Sequence, residues 1–337
     1  MIKEPFSFQN IDTHYLSALR DPWYRQLIAL QDLIQRETCR FYHSKNITTM
    51  HLPITTGSIS SPMGRGSDSS PVKISLFGQE TYLADSMQFL LEYGCRMTDH
   101  GCYYIMPSFR GEQADSRHLC QFYHSEAEIP GTLEDIMNLA EEYVRFLAAA
   151  ILEQQADALK AFVGDIRHIR QVAATSPFPR ITFDEAEALL QRLYPDSWRN
   201  YILYEDGYRN ISREAESALI AHFNGPVWLT HYDELAVPFY QKSENGVAEN
   251  ADLLMGIGET IGCGQRHETH AQVLEALARH DVSADEYGWY LEMKRAFPLE
   301  TAGFGMGIER FLMWVLKATD IRNFQICPRF NGINILP

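Results

Sequence analysis

Two extended runs, 102–109 and 120–129, are joined by the short polar segment Arg110 to Leu119, and no other feature constrains the fold as tightly. Each run has the pattern of a strand, so the pair reads as two strands around a turn. Further strands are predicted at 72–77, from Ile181, at 226–229, 237–240 and 251–255, and in a Gly-rich stretch near the C-terminus. Helical spacing lies between them. Residues 23–45 place Leu27, Ile28, Leu30, Leu33, Ile34 and Phe41 at amphipathic intervals, and 132–165 combines Glu134, Glu141 and Glu142 with several alanines. Shorter helices are predicted at 85–93, 184–193, 268–280, 284–294 and 308–317. Residues 50–53 read as a short extended stretch. Residues 55–70, rich in Thr, Ser, Gly and Pro, predict a mobile loop. Scattered strands among helices define an α+β fold, an antiparallel β-sheet flanked by helices.

With 337 residues, 45% of them hydrophobic, the chain can bury a large core, and it reads as a single domain over 1–337. The six cysteines form no C-x-x-C pair, which argues against a zinc site or a disulfide framework and for a reducing, cytoplasmic setting. The N-terminal residues lack the regions of a signal peptide, and the apolar stretch 143–151 is broken by Arg145, so no membrane span is expected. The formal net charge of -15 disfavours a broad nucleic-acid-binding surface.

Three constellations carry chemistry. Phe109-Arg110-Gly111-Glu112, followed by Arg117, His118 and Phe122, offers a fork for a phosphate, an acceptor for an amine and a ring for a base. Gly303-Phe304-Gly305-Met306-Gly307 leads into a helix with Arg310 in its first turn, an arrangement suited to a polyphosphate. Asp252 and Glu259, seven residues apart on neighbouring strand positions, suit Mg2+ beside a triphosphate. Each alone has a plainer reading, as a solvated turn, a packing motif or two surface acids.

Taken together and in this order they resemble the signature of class II aminoacyl-tRNA synthetases. FRGEQADSRHLCQFYHSEAEI resembles motif 2, GFGMGIER resembles motif 3, and the segment ending at Pro53 resembles motif 1, which in the family forms a homodimer interface. Within the class, ETIGCGQRHETHAQVLEAL, EYGWYLEMKR and GFGMGIERFLMWV are similar to the asparaginyl-tRNA synthetases, whose pattern reads E-I-I-G-G-S-Q-R-E-E. The similarity runs from about His14 to the C-terminus. A helical insertion at about 131–175 falls where that family places one. No counterpart of the family's anticodon-binding domain is expected. In that respect the chain is similar to the asparagine synthetases and amidotransfer enzymes of the same superfamily.

The resemblance implies roles for particular residues. Arg110 would bind the α-phosphate of ATP, Glu112 would contact the adenine or the reacting amine side of ATP, and Phe122 would stack on adenine. Arg310 would cover the other face of the base and hold the γ-phosphate, close to Gly305 and Gly307. Arg117 and His118 would embrace the phosphate tail, and Asp252 and Glu259 would hold Mg2+. Ser86 and Gln88 match an S-x-Q element at the α-amino end of the substrate, and Arg266 would read its side-chain oxygen. Glu126 stands where an acid would accept a bond from the side-chain amide. Leu91 stands where aspartate-binding relatives have a lysine. Both points favour asparagine over aspartate.

Three departures bear on the pocket. Glu300-Thr301-Ala302 replaces a usual His, Cys263 replaces the second Gly of the G-G-S element, and Gly264 replaces its Ser. The expected activity is an AMP-forming ligase that adenylates asparagine and transfers it to tRNA or to a non-tRNA acceptor. The alternatives are an aspartate–ammonia ligase and a non-catalytic regulator that binds amino acid or ATP.

Overall fold

Eight strands form one sheet in the computed structural model, which describes residues 3–61 and 70–333. In chain order they are β1 (Thr48–Thr49), β2 (Cys102–Phe109), β3 (Gln121–Pro130), β4 (Arg180–Thr182), β5 (Val227–Thr230), β6 (Asn250–Met255), β7 (Gly258–Gln265) and β8 (Thr301–Gly307). Their spatial order is β1-β2-β3-β8-β7-β6-β5-β4. The two outer pairs, β1/β2 and β4/β5, run parallel, and every inner pair is antiparallel.

The inner strands divide their residues between two faces, because strand side chains alternate. On β8, Ala302, Phe304 and Met306 are buried in the main core, and Gly303, Gly305 and Gly307 occupy the other face. Helices α1 (Pro22–Ser44), α3 (Leu133–Val163) and α7 (Ile308–Leu316) supply the rest of that core. Helix α1 begins where the Asp21 carboxylate accepts from Trp23 N at 2.8 Å, with Pro22 in the first helical position. Helix α3 opens on a capping box between Thr132 and Asp135 and buries Ile136, Ala140, Tyr143, Val144, Leu147 and Ile151. The helical segment expected over 131–175 is therefore present, as α3 and Arg167–Ala174, and its apolar face lies in the main core. The other helices used below are α2 (Gln88–Cys95), α4 (Arg213–Phe223), α5 (His270–Arg279) and α6 (Gly288–Ala296).

Two expectations are corrected. Residues 237–240 form a turn, not a strand: Pro238 has no N–H for a ladder, its carbonyl accepts from Gln241 N at 3.0 Å, and Phe239 and Tyr240 turn their rings into a cluster with α5 and α6. Of the mobile loop expected from Thr55 to Ser70, residues 55–61 are held in place. Thr55–Thr56 pairs with Gln79–Leu83 in a three-stranded sheet, and Asp85 accepts from Ser60 N, Ser60 Oγ and Ser61 N at 3.1, 2.8 and 2.7 Å. Residues 62–69 of that segment lie outside the described residues. The hairpin Ile202–Glu205/Tyr208–Ile211 and α4 had no counterpart in the sequence reading. Among the described residues, no helix is long and apolar enough to cross a membrane.

Candidate active site

The polar face of the sheet carries glycines at its centre. Gly262 and Gly264 of β7 lie beside Gly305 and Gly303 of β8, which in turn lie beside Glu126 and Glu128 of β3. Asp252 and Asn250 of β6 close the other side, opposite Gly262 and Gly264. Gln241 covers Gly264, and Glu128 and Arg266 cover Gly303, which leaves Gly262 and Gly305 as a floor where a ligand can approach the backbone closely. A cavity of about 640 Å3 opens over it. All fourteen residues singled out in the sequence, from Ser86 to Arg310, line this one cavity.

One end is rich in cations. Arg110, Glu112, Arg117 and His118 lie in the segment beyond β2, not on the strand itself. Arg110 lies over the Phe122 ring at 5.6 Å. Its Nε, Glu112 Oε2 and Arg117 Nε are buried without a hydrogen-bond partner among the described residues, which leaves polar capacity for a ligand. Glu112 also accepts from Ser70 N at 2.8 Å. Arg117 donates to Glu216 Oε2 at 2.8 Å, and Arg310 Nη1 donates to the Glu259 carbonyl at 2.8 Å. His118 meets Asp115 at 3.0 Å, and burial with the nearby charge of Arg310 holds its imidazole below the usual histidine range.

Asp252 and Glu259 flank Gly262: a Cβ built there would lie 2.9 Å from Glu259 Oε1 and 3.5 Å from Asp252 Oδ1. Burial and the charge of Glu259 push the Asp252 carboxyl well above the usual carboxylate range. This excess of negative charge is what a divalent cation would relieve, so the donor set fits Mg2+. Among the described residues no three His, Cys, Asp or Glu side chains form a metal cage. Two carboxylates still suffice for Mg2+, which completes its shell with water and phosphate oxygens.

The other end holds a dense polar network. Ser86 Oγ donates to Glu126 Oε2 at 2.6 Å, and Gln88 N donates to Ser86 Oγ at 3.2 Å. Glu126 also bonds Tyr104 OH and meets His124 Nδ1 at 3.1 Å. Burial alone would raise its carboxyl, but His124, Ser86 and Tyr104 hold it below the usual range, so it stays a charged acceptor. Arg266 is almost wholly buried. Its Nε and Nη2 grip Glu128 at 3.1 and 3.0 Å, Nη2 donates to Gln88 Oε1 at 3.0 Å, and Nη1 donates to Gln241 Oε1 at 3.3 Å.

The family description "tRNA synthetases class II (D, K and N)" matches residues 9–331. The chain belongs to this family. It is 28% identical to the asparagine–tRNA ligase of Koribacter versatilis over 91% of its own length and 70% of that protein's. It is 34% identical to the probable cytoplasmic asparagine–tRNA ligase of Encephalitozoon cuniculi, over 76% of its length and 58% of that protein's. The asparaginyl-tRNA synthetase of Pyrococcus horikoshii, solved with asparaginyl-adenylate, superposes with a TM-score of 0.87 at 26% identity. That match covers 97% of this chain and 73% of the other.

Several residues of this cavity in the class II synthetase fold escaped the sequence reading. Asp85, His124, Glu216, Tyr240 and Gln241 line the cavity, and Glu128 occupies Arg266. Asp85 had a local signal, since it adjoins Ser86. His124 and Glu128 alternate with Phe122 and Glu126 along β3, so strand alternation marked them, whereas Glu216, Tyr240 and Gln241 come from separate elements and had no such signal. Behind Arg266 lies His267, only 2% exposed, with neither ring nitrogen hydrogen-bonded among the described residues. Burial, with Lys294 and Arg279 nearby, lowers its pKa to about 3. Its folded value lies below its unfolded one, so the unfolded chain gains a proton first and stability falls as pH drops from about 6.5 towards 3. His267→Leu should flatten that slope, gaining about 2 kcal/mol on wild type between pH 7.5 and pH 5. Urea unfolding at both pH values measures it, and parallel pH dependences would refute the assignment.

Proposed function

We propose that this chain activates asparagine with ATP, forming asparaginyl-adenylate and pyrophosphate. The observation that carries the reading is one continuous cavity over a glycine floor. Its cationic end suits a triphosphate and its network of Glu126, Gln88 and Arg266 suits a small polar amino acid. The names of the relatives point the same way, and they describe those proteins.

In the reaction a carboxylate oxygen of asparagine attacks the α-phosphorus of ATP. The bond from that phosphorus to the bridging oxygen of the β-phosphate breaks, and pyrophosphate leaves with the electron pair. The nucleophile is already ionised, so no proton moves and no general base is required. The protein's work is positioning and charge stabilisation. Arg110 stabilises the pentacovalent phosphorus, Phe122 supports adenine with Glu112 beside it, and Arg117, His118 and Arg310 hold the phosphate tail. Asp252 and Glu259 would hold Mg2+, which neutralises charge as pyrophosphate forms. Ser86, Gln88 and Glu126 orient the amino acid. Leu91, fully buried beside Ala84, Met87 and Tyr104, supplies no second cation for an aspartate carboxylate.

The asparaginyl group then passes to tRNA, the acceptor in the relatives' names. The net charge of -15 favours a smaller acceptor as the second reading. Amino-acid-dependent ATP–pyrophosphate exchange tests the first step and should respond to asparagine. Exchange with aspartate alone would replace the reading with an aspartate–ammonia ligase. Transfer of labelled asparagine to total tRNA separates the two acceptors.

A further inference from the structure

We infer that Gln241 reads the substrate side chain, and that Gly264 makes room for it to do so. The inference deepens the asparagine reading above and rests on it. The asparaginyl pattern has Ser where this chain has Gly264. A Cβ built on Gly264 would lie 1.6 Å from Gln241 Oε1 and 2.6 Å from its Cδ. Any larger residue at 264 is therefore incompatible with Gln241 in this position. The backbone cannot easily yield. Gln241 N donates to Pro238 O at 3.0 Å, Gln241 bridges to Arg266, and Lys242 N donates to Gln265 O at 2.7 Å. The departure at 264 and the side chain at 241 are thus one feature.

Hydrogen-bond polarity decides what that feature recognises. A guanidinium only donates, so the Gln241 carbonyl must be the end that faces Arg266, and the carboxamide NH2 is left for another partner. Arg266 itself is largely committed. The bonds to Glu128, Gln88 and Gln241 use four of its five N–H groups. Its charge faces the fully buried Glu128 carboxylate at 3.0 Å. Burial works against that charge, yet Glu128 more than offsets it and holds the Arg266 proton more firmly than usual. Gln88 is committed too, its carbonyl to Arg266 and its NH2 to Tyr240 OH.

Gln241 therefore brings an uncharged donor to the same cavity in which Glu126 brings a charged acceptor. One donor and one acceptor complement a carboxamide. A carboxylate there would meet the charge of Glu126, and Arg266, the cation bonded to Gln241, is already paired with Glu128.

The test compares wild type, Gln241→Ala, Gln241→Glu, Gly264→Ser and Gly264→Ser/Gln241→Ala in pyrophosphate exchange. KM for asparagine and kcat are read separately. Gln241→Ala should raise KM about tenfold with kcat within a few-fold, the signature of a lost hydrogen bond in binding. Gln241→Glu, which replaces the donor with an acceptor, should raise KM further. Gly264→Ser should be worse than Gln241→Ala, because the displaced glutamine blocks the pocket, and the double variant should recover to the Gln241→Ala level. A KM for Gln241→Ala within twofold of wild type would overturn the inference alone. So would wild-type behaviour of Gly264→Ser. Wild-type protein with neither exchange nor an asparagine-dependent rise in Tm would overturn the asparagine reading and this inference with it.

Discussion

Arg110→Ala should reduce asparagine-dependent pyrophosphate exchange by about 10^2 to 10^3-fold, the loss typical of one donor aimed at charge developing in a transition state. The side chain has little structural work. Its backbone N–H bonds the Cys120 carbonyl at 2.9 Å and so ties the two ends of the motif 2 connection together whatever the side chain. The guanidinium lies over Phe122, and its Nε has no hydrogen-bond partner among the described residues. Deleting it should leave Tm within a few degrees of wild type. The loss should fall on kcat, with KM for asparagine little changed, because the contact strengthens only as charge builds on the α-phosphate. Arg110→Lys should recover little, since an ammonium lacks the planar fork that meets two oxygens at once. Exchange within tenfold of wild type in the alanine variant would remove Arg110 from the chemistry.

The sequence was legible where pattern and distance are both local. The strands at 102–109 and 121–130 declare themselves by alternation, and their pairing runs without a slip from Cys102↔Glu128 to Phe109↔Gln121. Asp252 and Glu259 could be brought together from sequence because β6 and β7 are consecutive strands joined by a tight turn. The alternate glycines of β8 could be read as a surface for close approach, and that is the face they form.

What could not be read depends on partners far apart in the chain. Glu128 is one more acid on a strand until β3 lies beside β8, which sets it over Gly303 and against Arg266, 138 residues away. Glu216 sits in a charged helix and looks solvated, yet it pairs with Arg117, 99 residues earlier. Gln241 lay just beyond a stretch read as a strand, and only the turn at Pro238 brings it over Gly264. Tertiary packing sets these partnerships, and no single-segment periodicity carries them.

Lys294→Met should destabilise the fold by about 3–5 kcal/mol, because it leaves a buried carboxylate without its cation. Lys294 and Glu92 are both fully buried, with Lys294 Nζ 2.5 Å from Glu92 Oε2. Tyr290 OH donates to Glu92 Oε1 at 2.6 Å, so the carboxylate depends on a phenol and an ammonium for its solvation. Lys294 Nζ also donates to the His267 carbonyl at 2.5 Å. Glu92 lies one turn after Gln88 on α2, and His267 directly follows Arg266, so this pair ties together from behind the two segments proposed to bind the amino acid. Urea unfolding should show the loss, and KM for asparagine should rise in the same variant as Gln88 and Arg266 lose their support. Glu92→Leu/Lys294→Met removes both charges and should recover most of the stability, since an apolar pair of similar volume often equals a buried ion pair. The binding defect should persist in that double variant, because the bond to the His267 carbonyl is still missing. Full recovery of KM alongside stability would mean that the pair acts on the fold as a whole and not on the placement of Arg266. A single variant within 1 kcal/mol of wild type would refute the dependence of Glu92 on Lys294.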